Sequence, residues 1–225
     1  MAETSRPTRL ARRKAQTRRA LVDAAIHLIG DGRGDRASIQ EITDAADIGF
    51  GSFYNHFESK EALFQAAFEE VLERWGQLID QACVGISDPA EVLAAAVRIS
   101  ARLCSAEPHI ARFLVGAGLD LLDSPFGLAP RARRDLQAGL AAGRFRVASA
   151  DLGLSVLSGG LFGLLRVRLQ DPRAADDPAT EAWFAEVSLR MLGLADAEAA
   201  RIAALPLPET ATSLQSPGAT HARRR

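Results

Sequence analysis

Tyrosine occurs once in the 225 residues, and cysteine, methionine and tryptophan twice each. The two cysteines, Cys83 and Cys104, have no CxxC spacing and no histidine partner, which excludes a cysteine-rich zinc site and gives no sign of an oxidising compartment. The four histidines, His27, His56, His109 and His221, are scattered without metal-ligand spacing, so neither a metal nor another cofactor is expected. A charge excess is also missing: 27 Lys and Arg stand against 28 Asp and Glu, and the pI is about 6.4. A uniformly basic nucleic-acid coat is thereby excluded. No long hydrophobic run is present either. The longest uncharged stretch, Leu152–Leu165, has 14 residues, short of the roughly 20 that a membrane span needs. No apolar stretch follows the basic N-terminus, so no secretory signal is expected. The sequence reads as a cytoplasmic protein with no membrane partner.

Enzyme signatures are equally scarce. GxSxG, HExxH and the P-loop do not occur. Gly30-Asp31-Gly32-Arg33-Gly34 is glycine-rich, but it follows a helical pattern instead of a strand and lacks the Lys-Ser/Thr ending. It reads as a helix stop and a loop. No nucleophile–base pair stands out, and the chain is expected not to be an enzyme.

What is present is helical punctuation. Ser38 with Glu41, and Asp88 with Glu91, are capping boxes, the second with Pro89 in the first helical position. Ser59, Ser149 and Asp177 (before Pro178) are further N-caps, while Gly30, Gly143 and Gly193 stand at helix ends. Strand patterns are nearly absent, and the fold class is all-α. The marks predict helices over about 15–30, 38–45, 50–56, 60–83, 89–105, 108–115, 128–142, 150–169 and 178–193, with a short one over 196–204. Residues 1–14 read as a flexible basic arm and 206–225 as a disordered tail.

The near-zero net charge hides an asymmetry. Residues 1–20 hold seven Arg or Lys against one acid, whereas residues 61–205 hold 14 against 19. A basic end on an acidic body suggests a small anion-facing module attached to a larger domain. The module has a recognisable pattern. Residues 38–46 form a short capped helix with Ile39 and Ile42 inward, 47–49 a tight connection, and 50–57 a second short helix with Phe53 and Phe57 inward. That is a helix-turn-helix over about 38–57, whose second helix would enter the DNA major groove. Its rim carries Phe50, Gly51, Ser52, Tyr54, Asn55 and His56, groups suited to phosphate oxygens and base edges.

Ser52-Phe53-Tyr54-Asn55-His56-Phe57-Glu58-Ser59-Lys60-Glu61-Ala62-Leu63 resembles the N-terminal domain of TetR-family transcriptional regulators, and the likeness extends over residues 15–75. The resemblance implies that Ser38, Tyr54, His56 and Lys60 hold phosphates, and that Gln40 and the run Phe50 to Asn55 approach bases. Two positions depart from the family pattern. Gly49 replaces a frequent Ser and loses a phosphate contact, and Phe50 replaces a polar residue, leaving an apolar contact to a thymine methyl.

For residues 76–205 the resemblance implies a helical ligand-binding and dimerisation domain. Apolar positions expected to face a small hydrophobic inducer are Leu72, Trp75, Ile79, Val97, Leu103, Phe113, Leu136, Leu140 and Leu157, with His109, Ser100 and Arg102 as polar candidates. Ser155, Gly159 and Gly163 recur on one helix face where another helix can approach closely. With Leu161, Leu164, Leu165, Trp183, Phe184, Val187 and Met191 they form the expected homodimer interface. The expected function is a homodimeric repressor of a pseudo-palindromic double-stranded DNA operator, released by the inducer. The alternatives are an all-α enzyme or small-molecule carrier without DNA binding, and a helix-turn-helix regulator answering to a protein partner.

Overall fold

Several helices begin where the sequence supplies a side-chain oxygen for their unpaired first-turn amides. In a computed structural model, which describes residues 8–34, 36–171 and 177–208 and only the backbone at Cys104 and Ser105, ten α-helices are present and no strand is found among the described residues. They are α1 (Arg9–Gly30), α2 (Ile39–Ala45), α3 (Lys60–Ala82), α4 (Pro89–Ala101), α5 (Leu103–Ala106), α6 (Pro108–Ala117), α7 (Leu128–Ala141), α8 (Ala150–Gln170), α9 (Pro178–Met191) and α10 (Asp196–Ala203). Side chains of Ser38, Asp88, Ser149 and Asp177 all accept hydrogen bonds from the first-turn amides of their helices. The all-α expectation is borne out.

Three details differ from the sequence reading. First, α1 starts at Arg9, not near 15, because Thr8 caps it by accepting from the Ala11 amide at 3.2 Å. The residues that follow, Leu-Ala-Arg-Arg-Lys-Ala-Gln, are good helix formers. Arg9, Arg12, Arg13 and Lys14 therefore stand on a helix instead of an arm. Second, residues 50–55 form a 3-10 turn. Gly51 has low helix propensity. Third, the stretch expected as one helix over 89–105 breaks at Arg102, and a further 3-10 turn, Gly118–Asp123, follows α6. The expected tail, from residue 209 on, and the first seven residues lie outside the described residues.

The chain divides into two compact units, Met1–Glu70 and Val71–Arg225. The core of the first is built from Leu21, Ala25, Leu28, Ile42, Phe53, Phe57 and Leu63, all buried. Burying one such Phe or Leu contributes about 1.5–3 kcal/mol. In the second, α4 packs on α7, α9 and α10, and α8 on α6 and α7, around Leu93, Leu136, Phe145, Leu154, Leu189 and Ile202. Gly139 on α7 has no substitute there, since a Cβ at that position would lie 2.0 Å from the Phe145 ring.

α2 ends in a tight reversal. The Asp47 amide donates to the Asp44 carbonyl and the Ile48 amide to that of Thr43, the paired bonds of a Schellman motif. Asp47 sits at φ +54°, alone among the described non-glycine residues. Side chains are strained in that region. Asp47→Gly should raise unfolding stability by about 0.5–1 kcal/mol, the strain relief exceeding the extra chain entropy of Gly. Urea titration measures it; a loss of stability would show that the Asp47 side chain itself holds the turn.

Candidate functional site

The reversal at Asp47 leads into the 3-10 turn, which packs on α2 and puts Phe53 into the core of the first unit. Phe53 is fully buried and Phe57 nearly so, while Phe50 is 47% and Tyr54 57% exposed. Gly49, Gly51 and Asn55 are exposed, and Ser52 and His56 are half-buried. The residues expected at the rim thus stand at the surface. The rings form a connected series. Tyr54 lies edge-on to Phe50 at 6.2 Å and to Phe53 at 5.3 Å, and Phe53 lies 6.1 Å from Phe57.

Cations from α1 flank this turn. Arg18 covers the Phe57 ring at 4.4 Å, a cation–π contact. Burial first, then Lys14 and Arg18, push the His56 pKa below the usual imidazole range; its Nδ1 is buried with no hydrogen-bond partner. Two of the expected phosphate contacts have structural tasks as well. Ser38 shares its hydroxyl and amide with Glu41 in the capping box. The Lys60 ammonium donates to the Ala37 carbonyl at 3.2 Å. Gln40 is exposed and donates to Asp44 at 2.7 Å.

The second unit contains a partly open apolar cavity of about 110 Å³. Leu72 and Ile79 of α3, Leu93, Ala96, Val97 and Ser100 of α4, and Leu154, Leu157, Ser158, Leu161 and Phe162 of α8 line it. Of the other positions expected to face a ligand, Trp75, Leu103, Phe113, Leu136 and Leu140 do not line it. Trp75 is buried about 60° round the helix from Leu72, and Leu136 and Leu140 belong to the packed core. Leu103 is buried too. Leu161 and Phe184, read as interface positions, are part of the cavity wall, and Leu165, read in the same way, is fully buried in the protomer. The polar candidate Ser100 is there as well, but His109 bonds Arg112 and Arg102 bonds Glu181.

Sequence reasoning missed the wall contributed by Leu121, Leu122, Ser124 and Phe126, which lie in and after the second 3-10 turn, and by Arg131 and Asp135 of α7. Arg131 is tied down: it donates to Glu73 through both terminal nitrogens (2.7 and 2.9 Å), to Asp80 through Nε (2.7 Å) and to the Gly127 carbonyl. The guanidinium hydrogen bonds hold the Glu73 carboxyl down at about 2. At Asp80 burial works the other way, but bonds from Arg131 and Arg134 outweigh it and the pKa is lowered. Apolar spacing carries no trace of such a charged wall. Among the described residues no cluster of His, Cys, Asp or Glu could hold a metal ion.

One face of α8 and α9 lacks cover in the protomer. Ser155, Gly159 and Gly163 are exposed, and a Cβ at either glycine would meet nothing within 4 Å. Leu152, Val156, Val167, Trp183 and Met191 are exposed around them, and Leu164 and Val187 are half-buried. By length and composition α8 could cross a membrane. Its opposite face carries Arg168, fully buried and donating to the carbonyls of Ala101 (2.7 Å) and Asp177 (2.8 Å).

Comparison with known proteins matches two family profiles, "Bacterial regulatory proteins, tetR family" over residues 21–67 and "Tetracyclin repressor-like, C-terminal domain" over residues 88–205. The structure of RolR in complex with resorcinol is 37% identical, covering 89% of this chain and 99% of that one, with a TM-score of 0.73. Ligand-free RolR is 35% identical over 85% of this chain and 99% of its own, with a TM-score of 0.70. The A-factor receptor protein of Streptomyces griseus is 45% identical over 58 residues, 26% of this chain. That alignment spans 21% of the receptor's length. With the helix-turn-helix at one end and a matching C-terminal domain over more than half its length, the chain belongs to the TetR family of DNA-binding transcriptional regulators.

Proposed function

We propose that the protein is a homodimeric repressor that leaves a pseudo-palindromic operator when a small, uncharged, largely apolar compound fills the cavity of the second unit. The cavity is the observation that carries this reading. Its walls are mostly aliphatic and aromatic, and a few polar groups, Ser100, Ser124, Ser158, Arg131 and Asp135, interrupt them. Such a site selects by shape and fixes orientation by one or two hydrogen bonds. About 110 Å³ suits a single ring, since an engineered apolar cavity of roughly 150 Å³ takes up benzene. RolR was solved with resorcinol, one benzene ring bearing two hydroxyls, and a small phenol is the first compound to test on this chain. The phosphate-facing set is Ser38, Tyr54, His56 and Lys60. The base-facing set is Gln40 with Phe50 to Asn55. The uncovered α8–α9 face is assigned to a second copy, because two half-sites need two turns held about one DNA turn apart, roughly 34–36 Å, or wider.

Ligand response is tested on a duplex selected by the full-length protein from random sequence. Resorcinol at millimolar concentration should lower the fluorescence anisotropy of the labelled duplex–protein complex. Ala96→Phe, which fills the cavity, should bind the duplex as the parent does and be released at least about tenfold less readily. Undiminished release from Ala96→Phe would move the ligand out of this cavity.

A further inference from the structure

The base-facing turn begins with a residue that cannot hydrogen-bond. Phe50 is the first residue of the 3-10 turn, and in a helix-turn-helix the N-terminal residues of the second element lie nearest the base edges. Its ring is nearly half exposed. The backbone on either side is bare, as Gly49 and Gly51 have open space where a Cβ would stand, so a duplex can come close to the ring.

The ring is also braced. Tyr54 meets it edge-on, at 6.2 Å and 73° between planes, and is itself edge-on to the fully buried Phe53 at 81°. Edge-to-face pairs at such distances are favourable beyond the area they bury. Phe57 and Phe53 thus sit in the core and Tyr54 and Phe50 at the surface, and Phe50 is held in place while about half of it stays exposed. In the major groove, base edges offer hydrogen-bond donors and acceptors and a single apolar group, the C5-methyl of thymine. Cytosine methylated at C5 offers the same group in the same place.

We propose that Phe50, positioned by Tyr54, reads a pyrimidine C5-methyl in each operator half-site. This rests on the reading of the turn as the base-facing element. Thymine and 5-methylcytosine are accepted at that position; cytosine and uracil are disfavoured. Tyr54 acts here as a positioning residue through its ring, separately from any phosphate contact of its hydroxyl.

The test uses the full-length protein and a duplex that it selects from random sequence. Each thymine is replaced in turn by deoxyuridine, which removes the methyl and leaves base pairing intact. One thymine per half-site should show about a threefold to tenfold loss of affinity on this change. Changing that T·A pair to C·G should weaken binding, and 5-methylation of the cytosine should recover about threefold or more. Phe50→Ala, at an exposed site that leaves the fold intact, should bind the thymine and uracil duplexes equally. Phe50→Leu should keep part of the discrimination. Tyr54→Phe should keep it in full and Tyr54→Leu should reduce it. If no thymine distinguishes the parent from Phe50→Ala, methyl reading is overturned while base reading by the turn stands. If the protein selects no sequence at all, the reading of the turn falls with it. Full discrimination in Tyr54→Leu would remove the brace from the proposal.

Discussion

Gly163→Leu should convert the dimer to a monomer and weaken operator binding by roughly 100-fold or more, the loss expected when two linked half-site contacts become independent. The reasoning is local. Gly163 lies mid-way along α8 on its uncovered face, with nothing within 4 Å of a built Cβ, so the protomer has room for the new side chain. Leu is also the better helix former, by as much as about 0.8–1 kcal/mol, and α8 should not melt. A second copy docked on Ser155, Gly159 and Gly163 has no such room, because close helix approach depends on small residues there. Light scattering and anisotropy on the selected duplex measure the two effects, and circular dichroism confirms that helicity is kept. A full dimer with parental affinity would place the interface elsewhere, and Trp183→Ala would then be the next variant.

Glu181→Leu should cost about 3–5 kcal/mol of unfolding free energy, the usual penalty for stranding a buried charge. Glu181 is 3% exposed on α9 and accepts from Arg102 at 2.9 Å, while Arg168, wholly buried on α8, stands 3.8 Å away. One carboxylate therefore serves two guanidinium groups, and burial of Arg168 is tolerable only because carbonyls and that carboxylate surround it. Replacing the acid by an apolar group of similar size leaves both cations without their shared counter-charge. Glu181→Gln keeps a hydrogen-bond acceptor and should lose less. Denaturant unfolding checks both. A Glu181→Leu protein as stable as the parent would show that the Arg102 and Arg168 charges are compensated by other groups.

The contrast between these sites explains what could be read from the sequence. Caps are local chemistry: Ser38 with Glu41, or Asp88 before Pro89, act within four residues, and the helices begin where such groups stand. The helix-turn-helix was legible for the same reason, its inward Ile42, Phe53 and Phe57 falling at short, regular spacing. The break at Arg102 was not, because no glycine or proline marks it, and the guanidinium there bonds Glu181, 79 residues away. Nor was the cavity. A helical stripe shows which side of α3 is buried, but core and cavity wall demand the same apolar residues, so Trp75 and Leu136 looked no different from Leu72 and Ile79. Arg131 and Asp135 looked like ordinary surface charges, and only the folded chain brings Arg131 to Glu73 and Asp80. The 3-10 character of residues 50–55 was not legible either, because one glycine in a short segment favours no single outcome in a local pattern.

The early start of α1 changes the thermodynamics of any contact its cations make. Arg9, Arg12, Arg13 and Lys14 are exposed on α1. A disordered arm would have to surrender about 1–2 kcal/mol of backbone freedom per residue on docking, and its ordering would add a negative heat-capacity change to the association. A preformed helix has met that cost during folding. A phosphate contact to cations on a helix would exchange counter-ions for protein charges without ordering the chain, so salt should weaken it strongly and temperature little.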